Sequence, residues 1–114
     1  IRRIMDNPRL KASVWVAAYV RRCSRAGAFA AISRKGDESA GAVFVECLHR
    51  HGADLFGPRF REDGGRAFEK LMEKASNAEV SQRIEKEAAF DRDLWLVTVE
   101  DRDGRHFFTQ DEYG

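Results

Sequence analysis

The stretch FAAISRKGDESAGAVFVECL, residues 29–48, decides how this chain is read. Two β-rich runs flank a polar segment, KGDESAG, with glycines at Gly36 and Gly41. Phe29, Ala31 and Ser33 alternate with Ala30, Ile32 and Arg34, which is the period of two that a strand requires. From Ala42 to His49, Val43, Val45, Cys47 and His49 fall on one side and Ala42, Phe44, Glu46 and Leu48 on the other. Apolar residues on both sides predict a central strand covered on both faces. Asp37 and Ser39 are suited to bonding nearby backbone amides, and the glycines to angles that other residues avoid. The local reading is a β-hairpin.

Working outward, the period upstream is 3.6. Residues 1–8 read as a loose arm ending at Pro8, and a helix is expected over 9–26 with Gly27 as its left-handed stop. Ala12, Val16, Tyr19, Val20 and Cys23 share one face. Leu10, Val14, Trp15, Ala17 and Ala18 widen the stripe beyond what one sheet covers, which predicts a second neighbour, here a symmetry mate. Arg21, Arg22 and Arg25 gather at the end where the helix dipole favours cations.

Downstream, Ala53–Phe60 reads as a third strand whose far half is demoted to an edge or bulge by Gly57-Pro58. Residues 66–74 fit either helix or strand. Ser76-Asn77-Ala78-Glu79 has the form of a capping box, opening a helix to about Phe90 with Val80, Ile84 and Ala88 as a narrow stripe. Leu94–Glu100 alternates as a strand, Asp101–Gly104 signals a turn, and Arg105–Thr109 is expected to return beside it.

Composition bounds the function. The 114 residues, 43% hydrophobic with eight Phe, two Tyr and two Trp, suffice for one folded domain spanning 1–114. The longest apolar run, VWVAAYV at 14–20, falls far short of the roughly 20 residues of a membrane span. Residues 1–10 contain no signal-peptide core, and Cys23 and Cys47 read as reduced, packed thiols, so a cytoplasmic setting is expected. Residues 1–35 hold nine Lys/Arg against Asp6 alone, while 36–114 hold eleven against eighteen Asp/Glu. That polarity is balanced within the fold or across a dimer.

Several constellations contain residue types suited to chemistry. Cys47, His49 and His51 share a strand face, but no fourth ligand is identifiable and a turn begins at Arg50, so no metal is assigned. A Cys–His pair of Cys47 with His49 or His106 has nothing to mark either thiol as activated. Asp91 and Asp93 stand at the opposite end of a strand from Glu100, Asp101 and Asp103, too far to act as one carboxylate pair. Arg2, Arg3, Arg9, Arg21, Arg22 and Arg25 are suited to tracking phosphates, but the helix is apolar where a groove-reading helix must be polar, so nucleic acid is not the expected partner. Arg34, Lys35 and Asp37 make the candidate ligand site: a glycine-bearing turn with adjacent cations is suited to a small anion. It matches neither nucleotide-binding fingerprint, and a well-built turn explains it equally.

Arg9-Leu10, Gly27-Ala28-Phe29-Ala30-Ala31, the turn Arg34-Lys35-Gly36-Asp37 with Ala40-Gly41-Ala42, Phe90-Asp91 with Asp93-Leu94-Trp95, and Glu100-Asp101-Arg102 together resemble a small uncharacterised alphaproteobacterial family known only as a domain of unknown function. The resemblance runs from Arg9 to about Phe108 and implies a single α+β domain. It brings no activity, cofactor or catalytic residue, and His49-Arg50-His51 is outside its pattern. The expectation is therefore α+β: a mostly antiparallel sheet of five or six strands, with the N-terminal helix and a second helix near 76–90 packed on it. Functionally it is a non-catalytic interaction module without cofactor, self-associating through the first helix. The alternative is an enzyme or ligand-binding domain taking a small anionic compound at 34–41.

Overall fold

A computed structural model describes residues 10–114; the arm read at 1–8, with Arg2, Arg3 and Arg9, lies outside the described residues. The elements run α1 (Ala12–Arg25), β1 (Phe29–Arg34), β2 (Val43–His49), β3 (Gly52–Pro58), β4 (Phe68–Ala75), α2 (Asn77–Phe90) and β5 (Trp95–Glu100). Gly27, at φ +93, closes α1 as read: its N–H donates to Ser24 O while the Ala28 N–H reaches back to Cys23 O. Ser76 and Glu79 form the expected reciprocal cap of α2. The ambiguous 66–74 segment is strand β4.

The five strands lie in the order β1-β5-β2-β3-β4, antiparallel except for the parallel β2/β5 pair. The hairpin reading of 29–48 is thereby corrected. β1 and β2 run in opposite senses, but β5 lies between them, with Ile32 opposite Val97 and Val97 opposite Val45. The connecting segment is longer than the two to five residues of an ordinary hairpin loop, which leaves room for the inserted strand. β5 takes the slot because Trp95, Val97 and Val99 are all buried.

The same insertion overturns the return strand at Arg105–Thr109, which has no strand structure. β5 is paired on both sides, so no edge remains beside it. The chain instead leaves the sheet after Asp101 and crosses α1, where Tyr19 Oη donates to His106 O and Arg22 to Phe107 O. The C-terminal segment thus covers Trp15 and Tyr19 on one side of α1, while Val14 and Ala17 of the same helix stay exposed. In β3 the irregularities fall between Ala53 and Phe56, not in the far half, and Pro58 closes the strand.

The sheet is covered on both faces, as the alternation in β2 predicts. Val43, Val45 and Cys47 join Trp15, Val16, Tyr19 and Cys23 of α1 in one cluster, together with Phe56, Phe68 and Phe108. Phe44 joins Leu55, Val80, Ile84 and Leu94 in the other, beneath α2. α1 packs chiefly over β1, whereas α2 packs over β3 and β4. The β1/β5 end of the α2 face is therefore left open.

Candidate functional site

The 34–41 turn is built against the 91–95 turn. Asp37 N–H donates to Asp93 O (2.9 Å), and Asp37 O accepts the Trp95 indole N–H (2.7 Å). The Asp37 carboxylate accepts the amides of Ser39 (3.0 Å) and Ala40 (2.9 Å). A β-carbon at Gly36 or Gly41 would sit 2.0 or 1.9 Å from Asp93 O, so both glycines serve close backbone approach. The far side of the turn caps α1, Ser39 O accepting the Ala12 N–H and Glu38 O the Ser13 N–H. Of the three candidate residues, Asp37 is turned to its own loop and Arg34 donates to Arg92 O (3.4 Å). Arg34 and Lys35 are exposed side by side. The principal depressions among the described residues lie elsewhere. One of them, about 710 Å³, is an open groove by α2 lined by Met72, Glu79, Arg83, Lys86 and Ala89.

At the end of β2, Cys47, His49 and Asp54 share the α1 face. His49 Nε2 lies 3.1 Å from Asp54 Oδ1, and its Nδ1 accepts the His51 N–H at 3.1 Å, so the neutral ring carries its proton on Nε2 and donates it to Asp54. Asp54 also accepts the Lys74 amide (2.9 Å), where Lys74 has φ +52. Burial would raise the Asp54 carboxyl, but these bonds and nearby Lys70 hold it below its usual value. Both His49 nitrogens are therefore engaged, and His51 is exposed on the turn. Among the described residues no group of three His, Cys, Asp or Glu converges to hold a metal ion.

Both thiols are buried and unactivated. Burial pushes Cys47 up to about 12 and raises Cys23 as well. The Cys47 thiol donates to Arg105 O at 3.5 Å. The His106 ring lies among Phe56, Phe108 and Tyr113, and burial lowers its pKa. Neither cysteine is expected to react with a water-soluble disulfide reagent in the native protein, and both should react in denaturant. Rapid stoichiometric labelling of the native fold would contradict this.

The acidic turns are structural. Asp91 accepts the Ala42 and Asp93 amides, and Asp101 accepts the Arg105 amide and guanidinium. Sequence reasoning missed two carboxylates. Glu112 is buried and accepts from Trp15 Nε1 (3.0 Å) and Arg22 (2.8 Å). Glu46 is half-buried on the open end of the α2 face; burial raises its carboxyl, and it accepts from Thr98 Oγ1, itself 2.6 Å from Ser33 Oγ. A carboxylate amid the alternation of β2 was the available signal for Glu46; nothing local marks Glu112.

Two helices on opposite faces of a five-stranded mixed sheet define an α+β domain whose polar groups serve its own turns. Residues 10–109 match the family described as protein of unknown function (DUF1491), and the chain belongs to that family. A crystal structure of a DUF1491 family protein from Caulobacter crescentus is 38% identical, with a TM-score of 0.79, covering 92% of this chain and 98% of that one. An NMR structure from the same organism is 40% identical, also at 0.79, covering 92% and 96%. A solution structure of a protein from A. tumefaciens is 38% identical at 0.76, covering 82% and 86%. No curated protein matches. The family and its alphaproteobacterial relatives are as the sequence resemblance implied, and they assign no activity.

Proposed function

We propose that this protein is a small, non-catalytic interaction module of the cytoplasm that associates with a second copy of itself on the side of α1. One observation carries the reading: Leu10, immediately before the Lys11 N-cap of α1, and Val14 in the first turn of α1 are about half exposed (50% and 48%), with exposed Ala17 one turn beyond Val14. The groups suited to chemistry are engaged within the fold: His49 at both nitrogens, Asp37 on its loop, the thiols in the core. Two buried, unlinked cysteines suit a reducing compartment, and no described helix is long and apolar enough to cross a membrane. A nucleic-acid role fits poorly, since Arg22 is turned to Glu112.

The test is sedimentation equilibrium over a wide concentration range. The wild type should dimerise, and Val14→Glu should weaken the dimer about tenfold while leaving the circular dichroism unchanged. A wild type that stays monomeric throughout ends the self-association reading. Exposure of Arg34 and Lys35 side by side favours a second reading, a small anion held at that turn. Titration with inorganic phosphate decides it: saturable amide shifts confined to 34–41 would favour the ligand site.

A further inference from the structure

We infer that the edge of β1, unpaired among the described residues, receives a second copy of this chain, β1 pairing antiparallel with β1 about Ala31 to join the two five-stranded sheets into one. This rests on the self-association reading and specifies its contact. The two edges of the sheet differ. β4 presents exposed Glu69, Lys70, Glu73 and Lys74, the charged dressing that keeps an edge from pairing. β1 carries no charge and no proline from Phe29 to Ser33, while Phe29 is 63% and Ile32 48% exposed. Its register shift falls after Ile32, so the segment Phe29–Ile32 is regular and its outward N–H and C=O groups are arranged to pair.

Symmetry limits the register. A two-fold axis normal to a continuous sheet sets residues of the same face opposite each other. With Ala31 on the axis, Ile32 meets Ala30 of the second copy and Phe29 meets its Ser33. Each large side chain then faces a small one, and Arg34, past the register shift, lies beyond the partner's strand. Centring on Ile32 would instead oppose the two isoleucines and carry the pairing through the register shift that follows Ile32. Centring on Ala30 would leave Ser33 and Arg34 outside the pairing. The Ala31 register covers both exposed apolar residues of β1 without opposing like charges. Because α1 packs chiefly over β1, the two α1 helices come to flank the axis on one face.

Cross-linking of the full chain tests the register. Ala31→Cys places a thiol on the axis, within disulfide reach of its symmetry mate. The native Cys23 and Cys47 are buried, so they supply a silent background. Mild oxidation of Ala31→Cys should yield a disulfide-linked dimer; Ser33→Cys, facing Phe29 of the second copy, should not. Ile32→Lys, at a half-exposed site that leaves the fold intact, should raise the dimer dissociation constant about tenfold, since two symmetry-related pairs are lost together. A monomeric wild type overturns both this inference and the reading beneath it. A dimer that Val14→Glu dissociates, but that neither responds to Ile32→Lys nor cross-links through Ala31→Cys, overturns the β1 contact alone.

Discussion

Gly41→Ala is expected to cost about 3 kcal/mol or more, lowering the melting temperature by about 12 °C or more for a domain of this size. The added methyl would lie 1.9 Å from Asp93 O and 3.0 Å from its carbonyl carbon. Both partners are backbone, so no side-chain rotation can relieve the overlap. One of the two turns must move, and each carries structure. Displacing 91–95 breaks the bond from Trp95 N–H to Ala42 O (2.7 Å), which opens the parallel β2/β5 ladder. Displacing 36–41 removes Ser39 O and Glu38 O from the first amides of α1, a helix whose N-cap residue Lys11 offers no side-chain cap. Gly104→Ala is the control. Its φ of +75 carries strain, but the nearest atom to the new methyl is 3.6 Å away, so it should cost about 1–2 kcal/mol. Thermal unfolding of the two variants measures the difference, and equal melting temperatures would remove the steric argument.

That contrast also marks where local reading of the chain succeeds. Alternation in Val43–His49 predicts a strand buried on both faces, because side-chain direction is a local property. Gly27 predicts the end of α1 for the same reason. Neighbour relations are another matter. Nothing within 29–48 encodes that Leu94–Glu100, far along the chain, displaces the hairpin partner; burial of Trp95, Val97 and Val99 decides it globally. Once β5 is enclosed, the return strand at 105–109 has no edge to join, so one non-local pairing produces both errors. The candidate turn behaves similarly. Glycines, an aspartate and two cations were visible as a suitable anion cradle, but the Asp93 carbonyl that Gly36 and Gly41 admit lies more than 50 residues away. The open β1 edge follows from the order of the strands and is invisible to any local pattern.

Glu112 gives the second large effect, through pH as well as mutation. Its carboxylate is buried where the C-terminal segment crosses α1, accepting from the Trp15 indole, the Arg22 guanidinium and the Thr109 amide. Burial alone would raise its pKa; Arg22, the Thr109 amide and Trp15 together outweigh that and hold it below 4.5. Glu112→Ala leaves the buried indole N–H without an acceptor and releases the strap, at an expected cost of about 2–3 kcal/mol. Arg22, about a third exposed, can rehydrate, which keeps the figure below that of a fully enclosed pair. For the pH dependence, a carboxyl depressed in the folded state stabilises fully above its unfolded pKa. That contribution fades as pH falls from about 4.5 through the folded value. The wild type should therefore lose melting temperature on acidification more steeply than Glu112→Gln, which keeps an acceptor for Trp15 but has no proton to bind. Asp54 and Asp101, also held low, leave a residual slope in the variant. Parallel acid profiles for wild type and Glu112→Gln would mean that the Trp15–Glu112–Arg22 contact does not hold the strap. The buried aromatic cluster around Phe108 would then have to fix it to α1 alone.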